Sequence, residues 1–535
     1  MRIEELRRRI SRLETYRLLK MLTMHNRIQA TRGIVEAAED LEASLLEMLP
    51  DNAEVELINY SSKGVPGWMP TPRGWHLEEA RVRIGGREIT SSSHPTLAAP
   101  HTPPTDGWIR GEAHLIGDPL DPEEYRGVEG KVLVVKSHYR VAYRLAEEAG
   151  ASGILFYRED LPPAAVPYIG LFLPDGEDHW LPAASIPRGM VEGIEGSSVE
   201  LYIDADTGVE PRFPVIVSWI GDRRSEGPLL SAHYCHPEPG ANDNASGVAA
   251  AIAAFKALAE ADPGFTLRLA LFPEYTGSAA VAGNWLADVT SAMVNLDMVG
   301  GRREPGLGPV RVYLPPPGIG EDLARASLEA AFMAGVDITL YMGGSDHDVM
   351  LGHGVPAVMV NQWPDPYYHS DWDDAYRIDP DRLRESAVLG AMIILASSGE
   401  WRPSAPDPRP WMLVSKHLAR GDTVSAGLAR QLFLGGGDGS WRPVDDPRIV
   451  RSLVPFLADY TLPGMRGEEA AVLARLVSEV RSAFARELFF HTRDGITVSA
   501  LHSKLAAIYG VDRIRGDVLV RVLEAYERLG LVEFS

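Results

Sequence analysis

Ser231–Gly247 reads SAHYCHPEPGANDNASG and carries the strongest structural signal in the chain. The apolar run that leads into it, Pro228-Leu-Leu-Ser-Ala-His233, predicts a buried strand with His233 at its carboxyl end. Asp243 follows between Asn242 and Asn244, and the Ala-rich stretch Val248–Ala259 predicts a helix capped by Asn244 or Ser246. In an open α/β sheet, chemistry collects at the carboxyl ends of the strands. A His and a carboxylate presented there, with no phosphate-cradling loop nearby, point to a metal site.

Residues 206–400 continue the alternation. Strand patterns fall at 214–219, 229–233, 267–272, 292–297, 310–314 and 355–360, and helical ones at 247–260, 278–287, 320–333 and 380–397. This predicts an α/β fold with a mixed, largely parallel sheet sandwiched by helices. Three more strand ends carry metal-competent groups. Thr266–Phe272 runs into Pro273-Glu274-Tyr275-Thr276-Gly277, Ala292–Asp297 ends in a carboxylate, and Val355–Val360 leads to Pro366-Tyr-Tyr-His369-Ser-Asp371. A single acid at a strand end is ordinarily a cap or a solvated turn. Hard and borderline ligands at successive element ends predict a shared metal centre instead.

The flanks read differently. Leu6, Ile10, Leu13, Tyr16 and Leu19, then Ile34, Ala37, Leu41 and Leu45, recur at helical spacing and predict packing faces. Glu54–Tyr60 alternates like a strand, whereas Gly85–Asp106, rich in Pro and Ser, predicts irregular chain. Residues from about 110 to 205 form a separate α/β unit. Its strings GKVLVVKSHYRVAYRLAEEAGASGILFY (130–157) and LPAASIPRGMVEGI (181–194) resemble the protease-associated domain. Pro406–Pro410 predicts a connector, and the GGGDGS within Leu432–Ser440 a loop tip or link. From about 440 the chain predicts helices at 468–488, 499–509 and 515–529 and a short terminal hairpin, a winged-helix-like pattern. With thirteen acidic and thirteen basic residues, that segment lacks the basic stripe of a DNA reader, which favours protein contact or homo-oligomerisation.

Length and composition bound the rest. The 535 residues accommodate about three domains of ordinary size. The formal charge of −22 argues against nucleic acid or an anionic membrane as the main partner. Cys235 is the only cysteine, so no intrachain disulfide contributes. The N-terminus is charged from its second residue, and no apolar run reaches membrane-spanning length, which predicts a cytoplasmic protein.

HYCHPEPGANDNASG, PEYTG, NLDMVG, GGSDHDVMLGHGVPAVMV and YYHSDWDD occur in the order and at the spacings of zinc aminopeptidases of the M28 type, which this chain resembles. The resemblance is closest to the aminopeptidase-like branch with a protease-associated insert and a C-terminal winged helix. It implies an N-terminal part of the peptidase-like domain over 1–108, an insert over 109–206, a catalytic domain over 207–405 and a winged-helix-like domain over 440–535. It also implies a metal-dependent hydrolase that removes N-terminal residues from short peptides or related amides with one or two zinc ions. Carried over residue by residue, His233 and Asp297 would bind one metal, the carboxylate of Asp243 would bridge two, with a cis bond from Asp243 to Asn244, and His369 would bind the second. Glu274 would be the general base.

Two departures keep alternatives open. The family's paired glutamates become Glu274-Tyr275, so Glu274 is either the base with Tyr275 replacing a ligand, or itself a ligand. The family's HYDH becomes His233-Tyr234-Cys235-His236, losing the acid that orients the ligand His. Cys235 is then a small buried hydrophobe or a soft extra ligand, and His236 a further ligand or a structural or substrate-contacting group. Asp346 and His347 match a substrate-proximal segment or anchor a loop. Asp371 orients His369 or caps a turn, and Tyr275 packs or donates to an oxyanion. Rival functions are a metal-dependent amidase or deacylase acting on a small modified amino acid or amino sugar, and a non-catalytic binding scaffold.

Overall fold

The computed structural model describes residues 3–398, 406–434, 441–455, 464–480 and 482–535. At its centre is an eight-stranded sheet in the order Ala53–Ser61, Arg212–Ile220, Leu267–Phe272, Gly227–His233, Thr290–Asp297, Ala357–Gln362, Val310–Tyr313 and Asp337–Thr339. The four strands from Leu267–Phe272 to Ala357–Gln362 run parallel. The outer pairs Ala53–Ser61/Arg212–Ile220 and Val310–Tyr313/Ala357–Gln362 are antiparallel. A mixed, largely parallel sheet covered by helices is therefore the fold. Its central strands are buried on both faces, which is why they read as unbroken apolar runs rather than alternating ones.

One face is covered by the helices Arg12–Leu22, Arg32–Met48, Gly247–Ala259 and Pro380–Ser397. Gly247–Ala259 is apolar but for Lys256, which pairs with Glu14, because it lies between the sheet and two of these helices. The sharp start of Pro380–Ser397 is set locally. Asp379 accepts a hydrogen bond from Asp381 N, and Pro380 occupies the first turn, where its missing N–H is not needed.

A second sheet has seven strands, in the order Arg87–Thr90, His76–Ile84, Ser198–Asp206, Ile109–Leu115, Val132–Val135, Gly153–Phe156 and Ala183–Ser185, with the helix Tyr139–Glu148 against it. The sheet thus takes in His76–Ile84 and Arg87–Thr90 from upstream of residue 109. Arg87–Thr90 is a paired strand where the Pro- and Ser-rich composition predicted irregular chain. The positive φ of Gly85 and Gly86 makes the two-residue hairpin turn that pairs it with His76–Ile84.

The C-terminal part has the helices Gly467–Val480, Ser482–Thr492, Val498–Tyr509 and Gly516–Arg528 and a small sheet of Ile496–Thr497, Ile449–Ser452 and Val532–Phe534. The helix predicted over 468–488 falls on Gly467–Val480 and Ser482–Thr492, which lie either side of residue 481, outside the described residues. The predicted connector over 406–410 already opens the helix Arg409–Leu418, and all of GGGDGS lies outside the described residues. Leu145 and Ala146 of the second unit share one apolar cluster with Ala470, Ala474 and Val477. No described helix is long and apolar enough to cross a membrane.

Candidate metal centre

Parallel strands end side by side, so whatever they carry at their carboxyl ends converges. His233 ends Gly227–His233, Asp297 ends Thr290–Asp297, and Glu274 stands two residues past Leu267–Phe272. Asp243 comes from the segment that feeds Gly247–Ala259, and His369 from the loop after Ala357–Gln362. His233 Nε2 lies 3.5 Å from Asp243 Oδ1 and 3.7 Å from Asp297 Oδ1. His236 Nε2 and His369 Nε2 lie 3.5 Å and 3.2 Å from the other oxygen, Asp243 Oδ2. Among the described residues, two groups of donors gather within metal-binding reach: His233 with Asp243 and Asp297, and His236 with Asp243 and His369. Asp243 belongs to both.

These separations suit a shared cation better than direct hydrogen bonds. Two ligands each about 2.0–2.1 Å from a tetrahedral zinc stand roughly 3.3 Å apart. His236 Nε2 is buried with no hydrogen-bond partner, a costly state for a ring nitrogen unless something binds it. Imidazoles with carboxylates are the donor set zinc takes. The residues present therefore fit zinc, and they fit it twice.

The ring orientations follow from the backbone. His233 Nδ1 hydrogen-bonds the Cys235 carbonyl at 3.3 Å and His236 Nδ1 the Pro237 carbonyl at 2.8 Å, which leaves each Nε2 for the shared site. The carbonyl of Cys235 thus orients the His233 ring. The Cys235 thiol stands in neither donor group; it accepts from the backbone N–H of Glu274 at 3.0 Å. Burial disfavours the Asp243 carboxylate, but His236 and His369 outweigh it and hold the group well below the usual range.

The asparagines beside Asp243 act as fasteners. Asn244 Oδ1 accepts from Met298 N and Gly247 N, and its amide donates to the Leu296 carbonyl, tying the Asp243 segment to the strand that ends at Asp297. Asn242 Oδ1 accepts from Gly300 N, while Asp373 accepts from the backbone N–H groups of Asn242 and Asp243 at 2.8 and 2.9 Å. The Asp243–Asn244 bond is cis. Gly247 is required by crowding: a Cβ there would lie 2.1 Å from the Leu296 carbonyl oxygen.

Glu274 belongs to neither donor group. Its turn continues through Tyr275 at φ +60, a region side-chain-bearing residues rarely adopt. Asp346 accepts from Tyr275 N at 2.8 Å and from the Ser278 hydroxyl, and Gln29 donates to the Glu274 carbonyl at 2.9 Å. Burial raises the Glu274 carboxyl well above its usual range; His233 opposes this, and Asp346, Asp297 and Asp243 add to it. His347 points elsewhere, its Nε2 hydrogen-bonded to the Met342 carbonyl.

The His369 loop is held from outside the central fold. His369 has φ +54, and its carbonyl accepts from Tyr168 N at 2.8 Å. Arg158 donates to the Tyr368 carbonyl at 2.7 Å. Asp371 does not touch His369; it accepts from Val166 N at 2.9 Å and pairs with His94 at 2.6 Å. The donors Arg158, Val166 and Tyr168 all come from the second unit. A cavity of about 650 Å³ opens beside the centre, lined by Glu274, Tyr275, His369, Tyr168, Arg158 and Arg486 among others. Gln29, Tyr168 and Arg486 carried no sequence signal, since each is a lone polar residue far along the chain from the strand ends it meets; Asp373 lay inside the quoted YYHSDWDD without a role assigned to it.

Residues 214–394 match the family model described as peptidase family M28. No curated protein matches the chain. The fold is similar to that of BSAP, a zinc aminopeptidase from Bacillus subtilis, at 19% identity over 74% of this chain and 98% of that one, with a TM-score of 0.57. A peptidase M28 precursor from Shewanella amazonensis gives 16% identity, 76% and 98% coverage and a TM-score of 0.58. A putative peptidase from Clostridium acetobutylicum is similar over 100% of this chain and 98% of its own at 14% identity, with a TM-score of 0.54. Donors for zinc thus converge at the strand ends of a fold similar to these peptidases, within the stretch from 214 to 394 that matches the model of peptidase family M28.

Proposed function

We propose that this protein is a zinc-dependent, aminopeptidase-like hydrolase that removes N-terminal residues from short peptides or related amides, with Glu274 as general base. The observation that carries this reading is the pair of donor groups joined at Asp243, with Glu274 in neither and lining the same cavity as His369. His233, Asp243 and Asp297 would hold one zinc, and His236, Asp243 and His369 a second. His236 then supplies the ligand that the family's second glutamate provides elsewhere and that Tyr275 cannot. Bound zinc would polarise the scissile carbonyl and acidify the attacking water. Glu274 takes a proton from that water as its oxygen adds to the carbonyl carbon. The same carboxyl returns the proton to the amine nitrogen as the carbon–nitrogen bond breaks. A site that raises its proton affinity suits both transfers. Cys235, Gln29 and Asp346 fix the turn, so the carboxyl is presented without rearrangement.

The test is hydrolysis by the zinc-loaded protein of peptide amides with a free or an acetylated N-terminus, alongside metal analysis. Cleavage of the free-amine peptides supports the proposal. Preference for the acetylated ones would favour an amidase or deacylase, and protein that takes up no metal would favour a binding scaffold.

A further inference from the structure

The cavity beside the metal centre is assembled from three parts of the chain. Glu274, Tyr275 and His369 come from the central fold, Tyr168 and Arg158 from the second unit, and Arg486 from the helix Ser482–Thr492 near the C-terminus. Its charge is lopsided: the guanidinium groups of Arg140, Arg144, Arg158 and Arg486 line it against one carboxylate, Glu274. Two of these cations are matched nearby, Arg158 by Asp160 and Arg144 by Glu177. Arg140 donates to the Gly170 carbonyl and lies over the Phe172 ring at 5.1 Å.

Arg486 differs. Among the described residues, its one acidic neighbour within ion-pairing distance is Asp348, with Nε 3.6 Å from Oδ2, too far for a hydrogen bond. Asp348 is already engaged, Oδ1 by the Tyr341 hydroxyl and Oδ2 by Gly344 N at 2.8 Å. Arg486 Nε is buried without a hydrogen-bond partner. The Arg486 side chain is 24% exposed and its Nε has no partner, and among the described residues it lacks the planar bidentate acceptor a guanidinium is built to meet, beside the residue that follows the proposed base. The cavity volume of about 650 Å³ lies within the roughly 300–1,000 Å³ typical of small-ligand pockets, room for a peptide of two or three residues.

We propose that Arg486 binds a carboxylate of the substrate within one residue of the scissile bond, so that the enzyme is selective for short anionic peptides. This rests on the hydrolase reading above and deepens it. The carboxylate has two sources, the free C-terminus of a dipeptide or an acidic N-terminal side chain, and three substrates separate them. Leu-Leu carries the first, Glu-Leu-amide the second and Leu-Leu-amide neither.

With the full-length zinc-loaded protein, one of the two carboxylate-bearing peptides has a kcat/KM about tenfold or more above that of Leu-Leu-amide, the range a desolvated charge-assisted pair supplies. Which peptide it is assigns the source. Arg486→Gln removes most of that preference, costing the favoured peptide about tenfold more than Leu-Leu-amide, and Arg486→Lys recovers part of it. Equal kcat/KM for all three peptides in the unaltered protein overturns the role of Arg486 while leaving the hydrolase reading intact, and so does an equal loss on all three in Arg486→Gln. Failure of the metal-replete protein to cleave any of them overturns both. The comparison among substrates in the unaltered protein decides the matter even where Arg486→Gln does not fold.

Discussion

Tyr168 donates its backbone N–H to the carbonyl of His369 at 2.8 Å, and the two rings lie 4.8 Å apart, centroid to centroid. A residue of the second unit therefore holds the left-handed turn that presents a proposed zinc ligand. Its neighbours reinforce the grip, with Arg158 bonded to the Tyr368 carbonyl and Val166 N to Asp371. The second unit is part of the centre's support and not a mere cover.

Asp371→Ala tests that support. It removes the acceptor of Val166 N and the partner of His94, and leaves every proposed ligand in place. Loss of outer partners of metal ligands typically costs 10–100-fold in affinity or activity. Asp371 holds the loop and not the ligand itself, so we expect zinc binding at the His236–Asp243–His369 position to weaken by less than that factor, read by competition with a chelator. The position holding His233 and Asp297 stays loaded. Uniform weakening at both would show that the loop is not what Asp371 supports.

Glu274→Gln separates base from ligand. The amide keeps the side chain's size and cannot accept a proton. General-base catalysis is typically worth about 10²–10⁴-fold, so kcat should fall within that range while metal content stays unchanged. A protein that loses metal on this change would make Glu274 a ligand and reverse the alignment of Glu274-Tyr275.

The degree to which the centre was legible depended on where its residues sit. His233, Asp297 and Glu274 were readable because an apolar run ends on each or just before it, and a parallel sheet brings such ends together. His369 was readable for the same reason, one loop removed. His236 gave a weaker signal: HYCH spacing in a loop has no periodicity, and only the turn through Pro237 and Gly240 brings its Nε2 to 3.5 Å from Asp243. Nothing local marks Tyr168 or Gln29, because their partners at the site lie far along the chain and are set by packing, between units for Tyr168 and within the central fold for Gln29. The fold shows the same division. The buried strands and the long helices follow their patterns, whereas Arg87–Thr90 depended on a Gly-Gly turn that composition alone reads as loop.

Gly247→Ala tests the close approach between the Asp243 segment and the next strand. The added methyl would meet the Leu296 carbonyl oxygen at 2.1 Å and Asn244 Oδ1 at 2.2 Å, both fixed by hydrogen bonds. Ala is ordinarily better than Gly at a helix start by up to about 1 kcal/mol. Here the clash reverses the sign, and overpacking of this kind costs about 1–3 kcal/mol. Thermal or denaturant unfolding should show a less stable protein, with zinc affinity reduced because Asn244 must shift. A gain in stability would mean the contact relaxes freely.

The two donor groups predict an unequal pattern of metal loss. His233 and Asp297 serve one group, His236 and His369 the other, and Asp243 both, through different oxygens. His236→Ala should therefore lower zinc content from two ions per chain to one, and His233→Ala should do the same by emptying the other position. Asp243→Asn weakens both, because an amide offers one oxygen where the carboxylate offers two. Binding to the folded state also stabilises it, by about 2.7 kcal/mol at a free metal concentration 100 times the Kd. Zinc should thus raise the melting temperature of the unaltered protein, raise it less in either single His variant, and change it least in Asp243→Asn. Metal analysis after dialysis and melting with and without zinc read the two sides independently. If His236→Ala retained both ions, His236 would be no ligand, and the second position would rest on Asp243 and His369 alone.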